Sequence, residues 1–218
     1  MPLENLLWEA EAAAMNNKKK NIIILGAQRS GKTTLTNLLC NQDNKYSIIS
    51  GDCLLFAFEN TMPETGLNVS TSIESKSPKF VKFISHYLTG FKRSYKGQNY
   101  IIESCQILPK DLRENPFFND AEVICLGFPN ATIDEIFTNI RNADKKPTNS
   151  YTQNLPDDIL KQRIHEWIKY SQYLEKACKR NNIPFYETDK NRDEVLQSLV
   201  EKLTTPILKD ESSIFEEK

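Results

Sequence analysis

The chain has 218 residues and a mass of 25.1 kDa, and its 28 Lys and Arg against 29 Asp and Glu leave a formal charge of -1. That length suits one α/β domain with a sizeable core, and the near-neutral balance excludes any general attraction to nucleic acid or to an anionic membrane surface. Five cysteines, at 40, 53, 105, 125 and 178, form no CxxC pair and accompany only two histidines, which speaks against a structural zinc site and for a reducing, cytoplasmic setting.

No apolar stretch approaches the roughly 20 residues of a membrane-spanning helix, and the N-terminus lacks the basic-then-apolar order of a signal peptide. Residues 3 to 14, "LENLLWEAEAAA", place Leu3, Leu6, Leu7 and Ala10 at helical spacing. They predict an amphipathic helix that docks on the domain, on a protein partner or on a second copy, or else a leader foreign to the chain. A polar linker completes this segment, residues 1 to 20. Between residues 21 and 205, apolar runs alternate with helical patterns: "NIIIL" (21–25), "YSIIS" (46–50), "NYIIE" (99–103), "AEVICL" (121–126) and "IPFYE" (183–187). Strands alternating with helices predict a parallel sheet covered on both faces. A helix around residue 85 carries Phe80, Ile84, Tyr87, Leu88 and Phe91 on one face and Lys79, Lys82, His86 and Arg93 on the other, the second face reading as solvated. "ATIDEIFTNIR" opens on a capping box, Thr132 to Glu135, turns Ile133, Ile136, Phe137 and Ile140 inward, and ends at Arg141. A polar segment, 142 to 156, has the length of a lid or binding loop. The long helix after it buries Ile164, Trp167, Ile168, Leu174 and Cys178, and the acidic tail, 206 to 218, is expected to fray.

The motif that carries chemistry is Gly26-Ala27-Gln28-Arg29-Ser30-Gly31-Lys32-Thr33, followed by Thr34. It matches G-x-x-x-x-G-K-[ST] and sits where its mechanism requires, between a buried strand and a helix patterned on Leu35, Leu38 and Leu39. The glycines let successive N–H groups point at a phosphate, and the helix N-terminus adds partial positive charge. Lys32 is expected on the β- and γ-phosphates and Thr33 on Mg²⁺. Nothing in the sequence separates ATP from GTP as the donor, but the G-protein markers N/T-K-x-D and D-x-x-G are missing. The third strand closes on a single acid, Glu103, where many remodelling ATPases carry an aspartate or Asp-Glu pair.

Asp52 follows Lys32 by 20 positions, at the carboxyl end of the second strand. Its carboxylate either opens into the crevice beyond the strands, to take the proton of an acceptor hydroxyl or hold Mg²⁺ through water, or caps the helix "CLLFAFEN"; the two roles are compatible.

Taken in order, the P-loop, "SGDCLLFAF", "YIIESCQILP" and "ICLGFPNATIDEIFTNIR" resemble the nucleoside-monophosphate-kinase-like group of P-loop kinases, which includes adenylate, shikimate and gluconate kinases and zeta-toxin-like relatives. The resemblance covers residues 21 to 203. It implies a three-layer α/β fold with a five-stranded parallel sheet in the order 2-3-1-4-5, a substrate-binding insert at about 61–97 and a lid at about 142–156. It also implies Asp52 as the acceptor-side aspartate, Glu103 as the acid near Mg²⁺, Arg141 as a lid-side arginine meeting the transferring phosphoryl group, and "ETDKN" (187–191) against adenine. The departures concern the acceptor. The core of the insert, "TMPETGLNVSTSIES", holds no arginine, and the lid holds only Lys145 and Lys146. An arginine clamp for AMP is therefore not legible, while "STSIES" offers hydroxyls to an acceptor with little charge.

The leading expectation is an ATP- and Mg²⁺-dependent phosphotransferase acting on a small hydroxyl-bearing acceptor such as a sugar or nucleoside, with Lys32, Asp52 and Arg141 catalytic and Thr33 and Glu103 at the metal. The alternatives are an adenylate-type kinase, a toxin-like kinase of nucleotide sugars, and a nucleotide-gated interaction module that engages a partner through residues 3 to 14.

Overall fold

The computed structural model describes residues 20–42, 46–145 and 150–205. The expected N-terminal helix and acidic tail lie outside these residues. The strands are β1 (Ile22–Gly26), β2 (Tyr46–Ser50), β3 (Asn99–Ser104), β4 (Glu122–Gly127) and β5 (Phe185–Glu187). The helices are α1 (Lys32–Gln42), α2 (Gly51–Thr61), α3 (Ile73–Ser94), α4 (Pro109–Arg113), α5 (Ile133–Asp144), α6 (Asp157–Arg180) and α7 (Arg192–Thr204). All strand pairs are parallel and the sheet order is β2-β3-β1-β4-β5, as the sequence led us to expect.

Successive residues of a strand point to opposite faces. Ile23 and Leu25 therefore enter one core with Ile49, Ile102, Val123 and Cys125, under Leu55 and Phe58 of α2, Phe80, Ile84 and Leu88 of α3, and Leu174 and Cys178 of α6. Ile22 and Ile24 enter the other with Ile101, Ile124 and Leu126, under Leu35 and Leu39 of α1 and Leu196, Leu199 and Val200 of α7. Because both faces are covered, β1 reads as an unbroken apolar run rather than an alternation. A third cluster joins Ile136 and Ile140 of α5 to Leu160, Ile164, Trp167 and Ile168 of α6, next to Ala27 and Phe128 beyond the strand ends.

The helices largely follow their sequence signals. Thr132 and Glu135 form the expected reciprocal capping box on α5. On α3 the buried stripe takes in Val81 as well as Phe80, Ile84 and Leu88. Tyr87, expected inward, lies at the edge of that stripe, 44 % exposed and stacked beside Phe83. The cap of α2 also differs from one of the two expected roles of Asp52: Ser50 is the N-cap, its hydroxyl accepting from the Cys53 N–H, and Asp52 sits inside the first turn. Position 50 is the last extended residue, so its side chain and not that of Asp52 can fold back over the helix start.

The turn from β2 into α2 runs against the end of β3. A Cβ placed on Gly51 would collide with the Ser104 side chain and crowd the Glu103 carbonyl, so only glycine lets the chain pass. Gly51→Ala should therefore lower the unfolding free energy by about 1–3 kcal/mol through overpacking, read from urea denaturation of the variant beside the parent protein.

Candidate functional site

Since every strand runs in the same direction, all five carboxyl ends and the loops after them emerge at one edge of the sheet. There they enclose a cavity of about 1300 Å³. The loop after β1 contributes Gln28, Arg29, Gly31, Lys32, Thr33 and Thr34; α2 contributes Asp52 and Phe56; β3 contributes Glu103; and the turn from β5 into α7 contributes Thr188, Asp189, Asn191 and Arg192. This is the crevice beyond the strand ends where open α/β sheets bind ligands.

The phosphate-binding turn is tied down at both ends. Gly26 has φ 149°, and a Cβ there would strike the Leu126 carbonyl oxygen. The Ala27 N–H donates to that same carbonyl at 3.2 Å, fastening the turn to β4. On the far side the Thr188 hydroxyl donates to the Ser30 carbonyl at 2.9 Å. Lys32 is only 8 % exposed. Its ammonium donates to the Ala27 carbonyl at 2.7 Å and the Gly26 carbonyl at 3.1 Å, and a third N–H is left for the cavity it lines. The first N–H groups of α1 have no acceptor within their helix, and Gly31, Lys32, Thr33 and Thr34 all face the cavity.

Two carboxylates complete this region. Asp52 lines the cavity, and its Oδ1 accepts from the Gln106 amide and the Cys105 thiol, both at 3.4 Å. Burial, with the Asp52 charge adding to it, pushes that thiol up to about 12, so Cys105 is an inert prop for the carboxylate. Glu103 also lines the cavity, and its Oε2 is buried without a hydrogen-bond partner among the described residues. A buried carboxyl oxygen in that state is costly unless something outside the described residues binds it. A hydrated Mg²⁺ fits that oxygen, with the Thr33 hydroxyl beside the same cavity as the second oxygen donor. The residues present thus suit a magnesium nucleotide.

Arg141 is not brought to this cavity. Its Nε and Nη2 donate to Asp157, Nη2 also to the Leu155 carbonyl, and Nη1 to the Thr152 carbonyl at 3.0 Å, so all three nitrogens hold the connection into α6. The cations that line the cavity are Lys32, Arg29, Arg163 and Arg192. Arg192 reaches the Thr34 hydroxyl at 3.1 Å; burial lowers its pKa, Asp193 opposes that shift, and the nearby Arg29 charge adds to it.

The expected hydroxyl set "STSIES" is also absent from the wall. Ser70 and Thr71 bond the Asn68 side chain instead, and Val69, just before this segment, is the residue that lines the cavity. None of Lys79, Lys82, His86 and Arg93 lines it, and Lys79 donates to the Thr65 carbonyl, in keeping with a solvated face. Of the lid cations, Lys145 bonds Asn142, and Lys146 lies outside the described residues.

Sequence reasoning missed Phe56, Tyr151 and Lys76. Phe56 had a legible signal, since it stands four residues after Asp52 and so shares its helix face. Lys76 is 6 % exposed and donates to the Asn68 carbonyl at 3.2 Å. Burial lowers its pKa, with the nearby Cys105, Asp52 and Glu59 opposing that shift. It is a buried cation behind Asp52 that no motif marks. No helix among the described residues is long and apolar enough to cross a membrane.

No family model and no curated protein matches the chain. Among solved structures it is similar to a shikimate kinase from Bacteroides thetaiotaomicron, at 19% identity and a TM-score of 0.47, covering 84% of this chain and 96% of that one. It is also similar to a gluconokinase from Sinorhizobium meliloti 1021, at 14% identity and a TM-score of 0.51, covering 86% of this chain and 93% of that one. The likeness to the gluconokinase is one of fold, and together with the strand order and the loop after β1 it shows that the fold is that of the nucleoside-monophosphate-kinase-like P-loop group.

Proposed function

We propose that the protein is an ATP- and Mg²⁺-dependent phosphotransferase that passes a phosphoryl group to a small hydroxyl-bearing acceptor, such as a sugar or nucleoside. The observation that carries this reading is that Lys32, Thr33, Glu103 and Asp52 line one cavity of about 1300 Å³. That exceeds the roughly 300–1,000 Å³ of a site for a single drug-sized ligand, so a donor and an acceptor have room side by side. The name of the similar structure with a TM-score of 0.51, a gluconokinase, agrees with a small hydroxylated acceptor.

The magnesium nucleotide would supply the phosphoryl group and neutralise part of its charge. The chain's own groups do the rest. Lys32, fixed on two carbonyls, presents its remaining N–H to the phosphate side of the cavity. Asp52, steadied by Gln106 and Cys105, presents a carboxylate that can accept the acceptor's hydroxyl proton. Glu103 and Thr33 would hold the metal. Phe56 and Val69 give the acceptor side an apolar lining, and Tyr151 lies there with Arg163 5.9 Å over its ring. One arginine among apolar walls suits an acceptor with at most a single anionic group better than a nucleoside monophosphate clamped by several. The segments 61–97 and 142–156 would act as acceptor insert and lid, touching the cavity through Val69 and Tyr151.

A panel of sugars, nucleosides and nucleotides assayed for acceptor-dependent ADP release tests this reading. One or more hydroxyl acceptors should raise release well above background, and no stimulation across the panel with intact ATP binding would falsify it. In calorimetric titrations Lys32→Ala should weaken Mg·ATP at least tenfold, the scale of losing charge-assisted hydrogen bonds. Asp52→Asn should leave nucleotide affinity within about threefold and lower kcat by about 10²–10⁴, the usual weight of a general base.

A further inference from the structure

Arg29 is the fourth residue of the phosphate-binding turn, and its backbone has φ 64°. A residue with a side chain occupies that left-handed region when its surroundings hold it there, and such positions concentrate at binding sites. Here the holding group is visible. Arg29 Nη2 donates to the Thr152 hydroxyl at 2.8 Å and to Asp144 Oδ1 at 3.2 Å. Asp144 ends α5, with its side chain only 6 % exposed. Thr152 is fully buried and donates in turn to Asp144 Oδ2 at 2.9 Å. A hydroxyl has one proton to give and two lone pairs. Thr152 uses its proton on Asp144 and accepts from Arg29, with Ser150 Oγ at 2.7 Å as a further partner.

The consequence lies in the protons that this bracket leaves over. A guanidinium carries five N–H donors in a planar fork. Both protons of Nη2 are engaged, and among the described residues none takes those of Nε and Nη1. Arg29 lines the cavity, within electrostatic reach of Tyr151 and of Arg192, which bonds the Thr34 hydroxyl. Arg141 shows the opposite state, with all three nitrogens engaged away from the cavity.

We propose that the side chain of Arg29, bracketed by Asp144 and Thr152, is the cation that meets the terminal phosphate of the bound nucleoside triphosphate, in place of Arg141. The phosphate-binding turn then carries its own arginine. Asp144 and Thr152 are positioning residues: they hold one edge of the fork and aim the other. The inference rests on the proposed nucleotide binding but not on any acceptor.

The test compares the affinities of Mg·ADP and of the non-hydrolysable triphosphate analogue Mg·AMP-PNP by calorimetry, with thermal unfolding recorded for each variant. Arg29→Ala should weaken AMP-PNP about tenfold or more while ADP changes less than threefold, the size expected for charge-assisted bonds to the last phosphate alone. Arg29→Lys should fall between, because an ammonium keeps the charge but loses the fork. Asp144→Asn should lower the AMP-PNP to ADP preference in the same direction, a shift that a purely structural role would not produce in folded protein. Arg141→Ala should lower the unfolding temperature and change the preference less than Arg29→Ala does, since Arg141 touches the bracket only through the Thr152 carbonyl and Asp144. An unchanged preference in Arg29→Ala, or an equal loss for both nucleotides, overturns the assignment while leaving nucleotide binding in place. Failure of the parent protein to bind either nucleotide overturns both.

Discussion

The pairing of β1 between β3 and β4 is the constraint on which the rest of the molecule depends. Its residues are at most 1 % exposed from Ile22 to Leu25, so the strand is closed above, below and at both edges. The chain can leave only at the carboxyl end, where β3 and β4 end beside it. The N–H of Ala27 finds the Leu126 carbonyl there, and Gly26 passes where a side chain would strike that same carbonyl. The turn that follows has little freedom. The parallel direction of every strand then collects Asp52, Glu103 and Thr188 around that turn, although they come from distant parts of the sequence.

A second theme is the disposal of positive charge. Burying a cation is costly unless its donors are satisfied. Lys32 and Lys76, both under a tenth exposed, meet that demand with backbone carbonyls, an arrangement that holds an ammonium in place without neutralising it. The arginines divide differently. Arg141 and Arg113 are consumed by carbonyls at chain connections, Arg141 also by Asp157, whereas Arg29 and Arg192 keep donors at the cavity. Number of arginines is thus a poor guide to the charge of a binding site. What counts is how many donors the fold has already used.

Much of the architecture was legible because it rests on local patterns. The five strands stand out as short apolar runs, the phosphate-binding turn as glycine and lysine spacing, and α5 as a capping box whose two partners lie three residues apart. The expectations that failed all concerned which way a side chain turns. Ser50, not Asp52, caps α2, since the strand ends and the helix starts two residues earlier than an Asp52 cap requires. The hydroxyls of Ser70 and Thr71 close on Asn68, a local alternative that polar loops readily offer. Arg141 bends toward Asp157 and the carbonyls before it, 11 to 16 residues on, a choice no helical periodicity could reveal.

The sequence by itself determined the strands, the helices and the phosphate-binding turn, because each depends on the period of apolar residues or on spacings of a few positions. It also marked Asp52 and Glu103 as acids at strand ends, where a parallel sheet must bring them together. Only the tertiary structure decided which cations face the cavity, what steadies Asp52, and that Arg29 rather than Arg141 keeps free donors there. Those outcomes are set by competition between partners beyond the reach of local periodicity, from the 11 to 16 residues between Arg141 and its acceptors to far longer separations such as Asp52 with Gln106 and Arg29 with Asp144. A sequence records the competitors, and packing alone selects among them.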